Sequence, residues 1–176
     1  MSSGSTADPG LTLVVGLGNP ILGDDGVGWR VVEEVQRRVE AGVCDRAAPL
    51  PAPVPRDGAA WRFDFCSLGG IALMEQLIGS ARAILVDAVQ TGGVAGTVHR
   101  LTLDDLPTLH ADSVHDASLK AALDLGRRLG AALPDEITII AVEAANLYEF
   151  GEALTPAVAA AVPRAADMVL ASLAGL

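Results

Sequence analysis

The stretch Val14-Val15-Gly16-Leu17-Gly18-Asn19-Pro20-Ile21-Leu22-Gly23-Asp24-Asp25-Gly26-Val27-Gly28 constrains this chain more than any other, because an apolar run breaks into glycines, presents two adjacent carboxylates and turns apolar again. Residues 11–17 have the β-branched and leucine content of a buried strand, whereas Val27, Val31, Val32, Val35 and Val39 recur at helical spacing. A strand, a glycine turn and a helix in that order open an α/β unit. The carboxylates then lie at the carboxyl end of the first strand, where open α/β sheets bind their ligands.

The alternation continues along the chain. Strands are predicted over 11–17, 61–66, 83–89, 96–103 and 136–142, and helices over 26–40, 70–80, 116–130 and 155–174. This order implies an α/β fold, a three-layer sandwich with a twisted, mostly parallel five-stranded sheet and helices on both faces. Glu33 with Arg37 and Glu34 with Arg38 form i,i+4 pairs on the first helix, Thr155-Pro156 reads as an N-cap and first-turn proline, and Pro163 should kink the last helix. Residues 1–10 are small and polar, the pattern of a disordered leader, and 11–176 reads as a single domain. Within it, prolines 49, 51, 53 and 55 place an extended loop over 45–60.

A net charge of −10 and a pI near 4.5 argue against a nucleic-acid partner, whose phosphates are bound chiefly through Lys and Arg. The leader lacks the basic and apolar regions of a signal peptide, no apolar run reaches membrane-spanning length, and the last helix carries Arg164 and Asp167. A cytoplasmic protein with no membrane association is expected. Cys44 and Cys66, far apart and in no CxxC pattern, fit reduced thiols, and neither looks like a nucleophile.

Several chemistries fail on the residues. Ile21 stands where a dinucleotide GxGxxG turn needs its third glycine, no GxxxxGK[ST] loop is present, and two aspartates at a helix start repel phosphate. GxSxG and HExxH are absent. What remains is a set of carboxylates and imidazoles at loop positions. Asp24 and Asp25 follow the first strand, Asp87 ends the apolar Ala83-Ile84-Leu85-Val86, and His115 precedes a helix, with His110 and His99 as alternative imidazoles. Strand ends share one crevice in such a sheet, so two carboxylates and an imidazole can converge there on nickel, zinc or manganese. Asp24 or Asp25 also fits a plain helix N-cap, so that one caps while the other binds. Asp87 ends a strand too buried to carry an unpartnered carboxylate cheaply.

These residues closely resemble the hydrogenase maturation endopeptidases, which open with G-x-G-N, a short apolar step and D-[DE]-G-x-G. Gly16 to Gly28 matches that motif, Ile84-Leu-Val-Asp87-Ala88 resembles the family's strand ending in Asp-Ala, and Gly96-Thr-Val is similar to its next strand. Ser113-Val-His115 matches its Ser-x-His segment, and Glu149-Phe-Gly-Glu-Ala-Leu-Thr-Pro156 its turn before the last helix. The likeness runs from residue 11 onward. It implies a protease that removes a C-terminal extension from the large-subunit precursor of a nickel-iron hydrogenase after nickel insertion, with the nickel supplied by the precursor. The resemblance carries the family's three metal contacts to Asp25, Asp87 and His115, as catalytic and metal-binding residues in a metal-dependent, carboxylate-based peptidase. A monomer is expected, given transient docking to a large partner.

The chain departs from the family's pattern at Cys66-Ser-Leu-Gly-Gly-Ile71, which replaces an Asp-Gly-Gly-Thr-like segment, at Glu143-Ala-Ala-Asn146, which replaces Glu-Pro-x-Ser, and in the proline-rich loop. Two rivals share parts of the pattern. Peptidyl-tRNA hydrolases also follow a strand with Gly-Leu-Gly-Asn-Pro, but continue to a catalytic His where Asp24-Asp25 stands and need a basic surface. A non-catalytic escort would bind nickel or the precursor through the same contacts without cutting.

Overall fold

Residues 8–41, 60–105 and 114–175 are described by a computed structural model, which gives the backbone alone for 114–118. The proline-rich loop, His110, Cys44 and residues 1–7 of the expected leader lie outside the described residues. Five strands, β1 (Asp8–Leu17), β2 (Ala60–Cys66), β3 (Ser80–Val89), β4 (Val98–Thr102) and β5 (Glu136–Glu143), alternate with four helices, α1 (Val27–Glu40), α2 (Gly70–Leu77), α3 (Val114–Arg128) and α4 (Pro156–Leu173). The strands form one sheet in the order β2-β1-β3-β5-β4, parallel except for β4, which runs antiparallel to β5. This is the mostly parallel α/β sandwich that the alternation implies.

The three central strands, β1, β3 and β5, are predominantly apolar on both faces, as a covered parallel sheet requires. Val14, Ile84, Val86, Ile140 and Val142 pack with α1 and α4, while Leu13, Val15, Leu85 and Ile139 pack with α2 and α3. Period-two alternation along β1, β3 and β5 thus divides one apolar run between two cores. From β1 the chain crosses to β2 through α1, then returns past β1 to β3 through α2. The connections diverge between the ends of β1 and β3, which makes that gap the switch point of the sheet.

The glycines of the opening motif bring α1 close enough to reach that gap. A Cβ on Gly28 would overlap the carbonyl oxygens of Leu17 and Val86 and lie 2.9 Å from the Leu17 nitrogen, and a Cβ on Gly16 would lie 2.7 Å from the Gly28 carbonyl oxygen. Backbone therefore touches backbone where α1 leaves β1 and passes β3. Along α1, Glu34 binds Arg38 at 2.6 Å and Arg37 at 2.7 Å, and Arg38 reaches Asp167 of α4 at 2.7 Å. The hydrogen bond from Arg37 is the largest influence holding the Glu34 carboxyl well below its usual range, at about 2. Glu33 pairs with Arg30 at 3.1 Å rather than with the expected Arg37, which turns to Glu34 instead.

Several boundaries differ from expectation for local reasons. Asp8 pairs with Ser80 and its N–H donates to the Gly79 carbonyl at 3.0 Å, so residues 8–10 belong to β1 and not to a disordered leader. Helix α2 stops at Leu77 because Ile78 is extended and Gly79 has φ +89°. β4 starts at Val98, after Gly96 turns with φ +81° and Thr97 N–H closes on the Val94 carbonyl at 3.0 Å. Helix α4 continues through Pro163. By length and composition it can cross a membrane, contrary to expectation, with 18 residues and a mean hydropathy of 1.3. Its buried Val158, Ala161, Ala165, Ala166, Val169, Leu170 and Leu173 join the α1-side core, which accounts for that composition.

Gly28→Ala is expected to cost about 3 kcal/mol in urea unfolding, since neither carbonyl can yield without moving a strand. Gly151→Ala, where an added Cβ meets nothing within 4 Å, should change stability by less than about 0.5 kcal/mol. Equal effects would show that the close approach of α1 is not required.

Candidate active site

The turn from β1 to α1 is a series of short closures. Gly18, at φ +105°, donates its N–H to the Cys66 carbonyl at 3.2 Å, and a Cβ there would overlap the Asp25 carbonyl. Asn19 Oδ1 accepts the Ile21 N–H at 3.2 Å, Leu22 N–H reaches the Asn19 carbonyl at 3.0 Å and Asp25 N–H the Leu22 carbonyl at 3.1 Å. A 3-10 turn, Gly23–Gly26, then leads into α1. Neither aspartate caps the helix. The N-cap of α1 is Gly26, without a side-chain cap, because the 3-10 turn holds both aspartates ahead of it.

The two neighbouring carboxylates have opposite surroundings. Asp24 is fully buried, at 0 % exposure. Its Oδ1 accepts the Thr155 N–H at 2.7 Å, and its Oδ2 accepts the N–H groups of Ala145 and Asn146 at 2.9 and 3.3 Å and the Thr155 hydroxyl at 3.0 Å. A buried carboxylate is tolerable only when such donors replace its lost water. Asp24 thereby ties the β1–α1 turn to the segment between β5 and α4. Thr155 does hold the N-cap position of α4, but its hydroxyl serves Asp24 and not the helix.

Asp25 is half-buried and points the other way. Its Oδ2 accepts the Asn19 N–H at 2.6 Å, which fixes the carboxylate over the turn. It lines an open cleft with Asp87, Leu17, Gly18, Leu73, Leu119 and the segment Cys66-Ser67-Leu68-Gly69. Asp87 is also half-buried, and the N–H of Ala88 donates to its Oδ1 at 2.8 Å. On β3 it has the parity of Ala83 and Leu85, which face α2 and α3. Two carboxylates 62 positions apart in sequence (87 − 25) therefore meet in one cleft at the switch point.

His115 lies in the first turn of α3, four residues before Leu119, whose side chain lines the cleft. Its imidazole is not among the described side chains. His99 lies within β4, at the edge of the sheet, and does not line the cleft. Among the described residues no group of three or more His, Cys, Asp and Glu side chains is placed to hold a metal ion by itself.

Two features of the site escaped the sequence reading. Glu143, at the end of β5, is 1 % exposed. Its Oε1 accepts the N–H groups of Thr91 and Gly93 at 2.7 and 2.9 Å and its Oε2 the Thr91 hydroxyl at 2.7 Å, which pins the loop after β3. A lone glutamate ending Ile137-Thr-Ile-Ile-Ala-Val142 was the available signal. The other is Cys66, buried in the cleft wall with its thiol donating to the Leu68 carbonyl at 2.8 Å. One of the segments that depart from the family pattern, Cys66-Ser-Leu-Gly-Gly-Ile71, thus supplies a wall of the cleft through residues 66–69.

The model of the hydrogenase maturation protease family matches residues 68–172. The chain belongs to that family. A hydrogenase expression/formation protein, HupD, of Thiocapsa roseopersicina is 29 % identical over 171 residues, covering 96 % of this chain and 69 % of that protein. The hydrogenase 2 maturation protease of Escherichia coli is 28 % identical over 164 residues, 92 % of this chain and 89 % of that one. Among solved structures, the hydrogenase maturating endopeptidase HybD from E. coli superposes with a TM-score of 0.68 at 27 % identity, over 92 % of this chain and 91 % of that chain. As a member of the maturation proteases the chain is a hydrolase of peptide bonds that acts in hydrogenase maturation, and its fold is the family's.

Asp24→Ala is expected to lower stability by about 3 kcal/mol, because it strands the donors of Ala145, Asn146 and Thr155 and unties the β1–α1 turn from the segment between β5 and α4. Asp25→Asn, which keeps an acceptor facing the Asn19 N–H, should cost less than about 1 kcal/mol. Urea midpoints of the two variants check the contrast; matching losses would contradict the division between a structural and a chemical carboxylate.

Proposed function

We propose that this protease removes the C-terminal extension of a nickel-iron hydrogenase large-subunit precursor once nickel has been inserted, using Asp25, Asp87 and His115 to meet the precursor's metal. The observation that carries the reading is the convergence of Asp25 and Asp87 in one cleft. The family relationship supplies the substrate class, and the position of His115 one helical turn before the cleft residue Leu119 agrees with its inclusion.

The chemistry follows from the donor set. Two carboxylates and an imidazole favour a divalent ion over a phosphate, and they leave coordination positions to the precursor's own ligands. Nickel so shared would hold the scissile segment against the cleft and supply Lewis-acid polarisation of its carbonyl; a carboxylate takes a proton from the attacking water and returns it to the leaving amine nitrogen as the peptide C–N bond breaks. Cys66 is no nucleophile in this scheme, since its buried thiol is engaged with the Leu68 carbonyl. Metal reading then doubles as quality control: a precursor without nickel lacks the bridge and is not cut. The free thiol of Cys66 fits a reducing compartment, so the proposal includes a cytoplasmic location, and transient docking to a large partner adds a monomer.

Incubating purified protein with nickel-loaded precursor, and weighing the products by intact mass, tests the proposal. Loss of a C-terminal fragment from loaded precursor alone is expected, and Asp25→Asn or Asp87→Asn should slow it by at least about 100-fold. Equal cleavage of nickel-free precursor, or full activity of both variants, would contradict it.

A further inference from the structure

Among the described residues eight large apolar side chains are exposed, and three of them lie on two segments joined by hydrogen bonds. Ile21, Tyr148 and Phe150 are 49, 78 and 86 % exposed. Ile21 belongs to the β1–α1 turn and the other two to the segment between β5 and α4, and these segments are bound together. Gly23 N–H donates to the Gly151 carbonyl at 2.6 Å, Gly151 N–H to the Ile21 carbonyl at 3.0 Å, and Leu22 forms a β-bridge with Gly151. Asn146 Oδ1 accepts the Tyr148 N–H at 2.9 Å. Beneath them the buried Asp24 carboxylate holds Ala145, Asn146 and Thr155.

Such a surface is unusual for two reasons. Exposed aromatic groups lower solubility, and a loop that only connects elements has no need of them. This loop also restrains its backbone on both sides of the aromatics, so they are presented with little ordering left to lose on contact. Ile21 and the cleft residue Asp25 share a single turn, which links the scaffold to the cleft through the backbone. Exposed Glu149 and Glu152 flank Phe150, on a chain whose net charge is −10.

We propose that Ile21, Tyr148 and Phe150 form a preformed docking platform for the folded body of the substrate protein, engaging an apolar patch ringed by Lys and Arg while the cleft engages its metal. The proposal rests on the precursor being the substrate. Aromatic anchors in a rigid frame supply affinity, and the acidic rim selects a basic surround and speeds encounter. The platform thereby separates holding the substrate from cutting it: affinity resides in residues that never touch the scissile bond.

The test is the equilibrium Kd of the full-length protein for nickel-loaded precursor, measured by calorimetry for wild type, Tyr148→Ala/Phe150→Ala and Glu149→Gln/Glu152→Gln. The aromatic variant should weaken binding by roughly 30-fold, and the acidic variant should flatten the salt dependence of Kd, with both thermal midpoints unchanged because the altered side chains are exposed. Unchanged Kd in the aromatic variant overturns the platform. So does a wild-type dimer that the aromatic substitutions dissociate while Kd stays constant, since the occupant is then a second copy. Wild-type binding without cleavage would overturn the proposed reaction alone and leave the Kd comparison to decide the platform. No binding by wild type would overturn both.

Discussion

The structure depends on a carboxylate that takes no part in the chemistry. Asp24 is buried without a cation among its hydrogen-bond partners in the described residues, and its charge is held by three N–H groups and a hydroxyl. Those donors come from beyond the end of β5 and from the start of α4, whereas Asp24 comes from the turn after β1. One side chain therefore joins loops more than 120 residues apart. Backbone contact at Gly16 and Gly28 then lets the next residue, Asp25, project at the gap between β1 and β3.

Adjacent carboxylates of one sequence motif thus divide into a buried anchor and a cleft residue, the latter being the one assigned to chemistry in the proposed function. Glu143 repeats the anchoring arrangement at the end of β5, where it binds the loop after β3. Asp24 and Glu143, both buried, and the cleft pair, Asp25 and Asp87, both half-buried, are distinguished by exposure, not by residue type. In the proposed function, such a site offers two carboxylates to an incoming metal because hydrogen-bonded loops, not the metal, assemble it. The energetic cost of assembling it is met by folding.

Much of this was legible in the sequence because the signals were local. Alternating apolar periods gave the layers, and glycines with an aspartate pair gave the first turn. The convergence of Asp25 and Asp87 followed from the rule that parallel strands end on one side. What could not be read was the identity of long-range partners. Nothing in Asp24-Asp25 tells which carboxylate turns inward, since that depends on donors at Ala145, Asn146 and Thr155 supplied by a distant loop. Thr155 looked like an ordinary cap for the same reason. Arg37 chose Glu34 over Glu33 through side-chain geometry that i,i+4 spacing does not encode. Composition likewise does not separate a core helix from a spanning one; in α4 it is the buried face, packed against the α1-side core, that accounts for much of the apolar content.

The central claim is that Asp25 and Asp87 together form the protein's half of a metal contact whose other half arrives with the substrate. Nickel-edge X-ray absorption on rapidly frozen precursor, alone and mixed with the protease, tests it most directly. The account predicts additional oxygen or nitrogen scatterers around nickel in the wild-type mixture, lost when Asp25→Asn and Asp87→Asn are combined. A nickel spectrum identical in free precursor, wild-type complex and double-variant complex would contradict it.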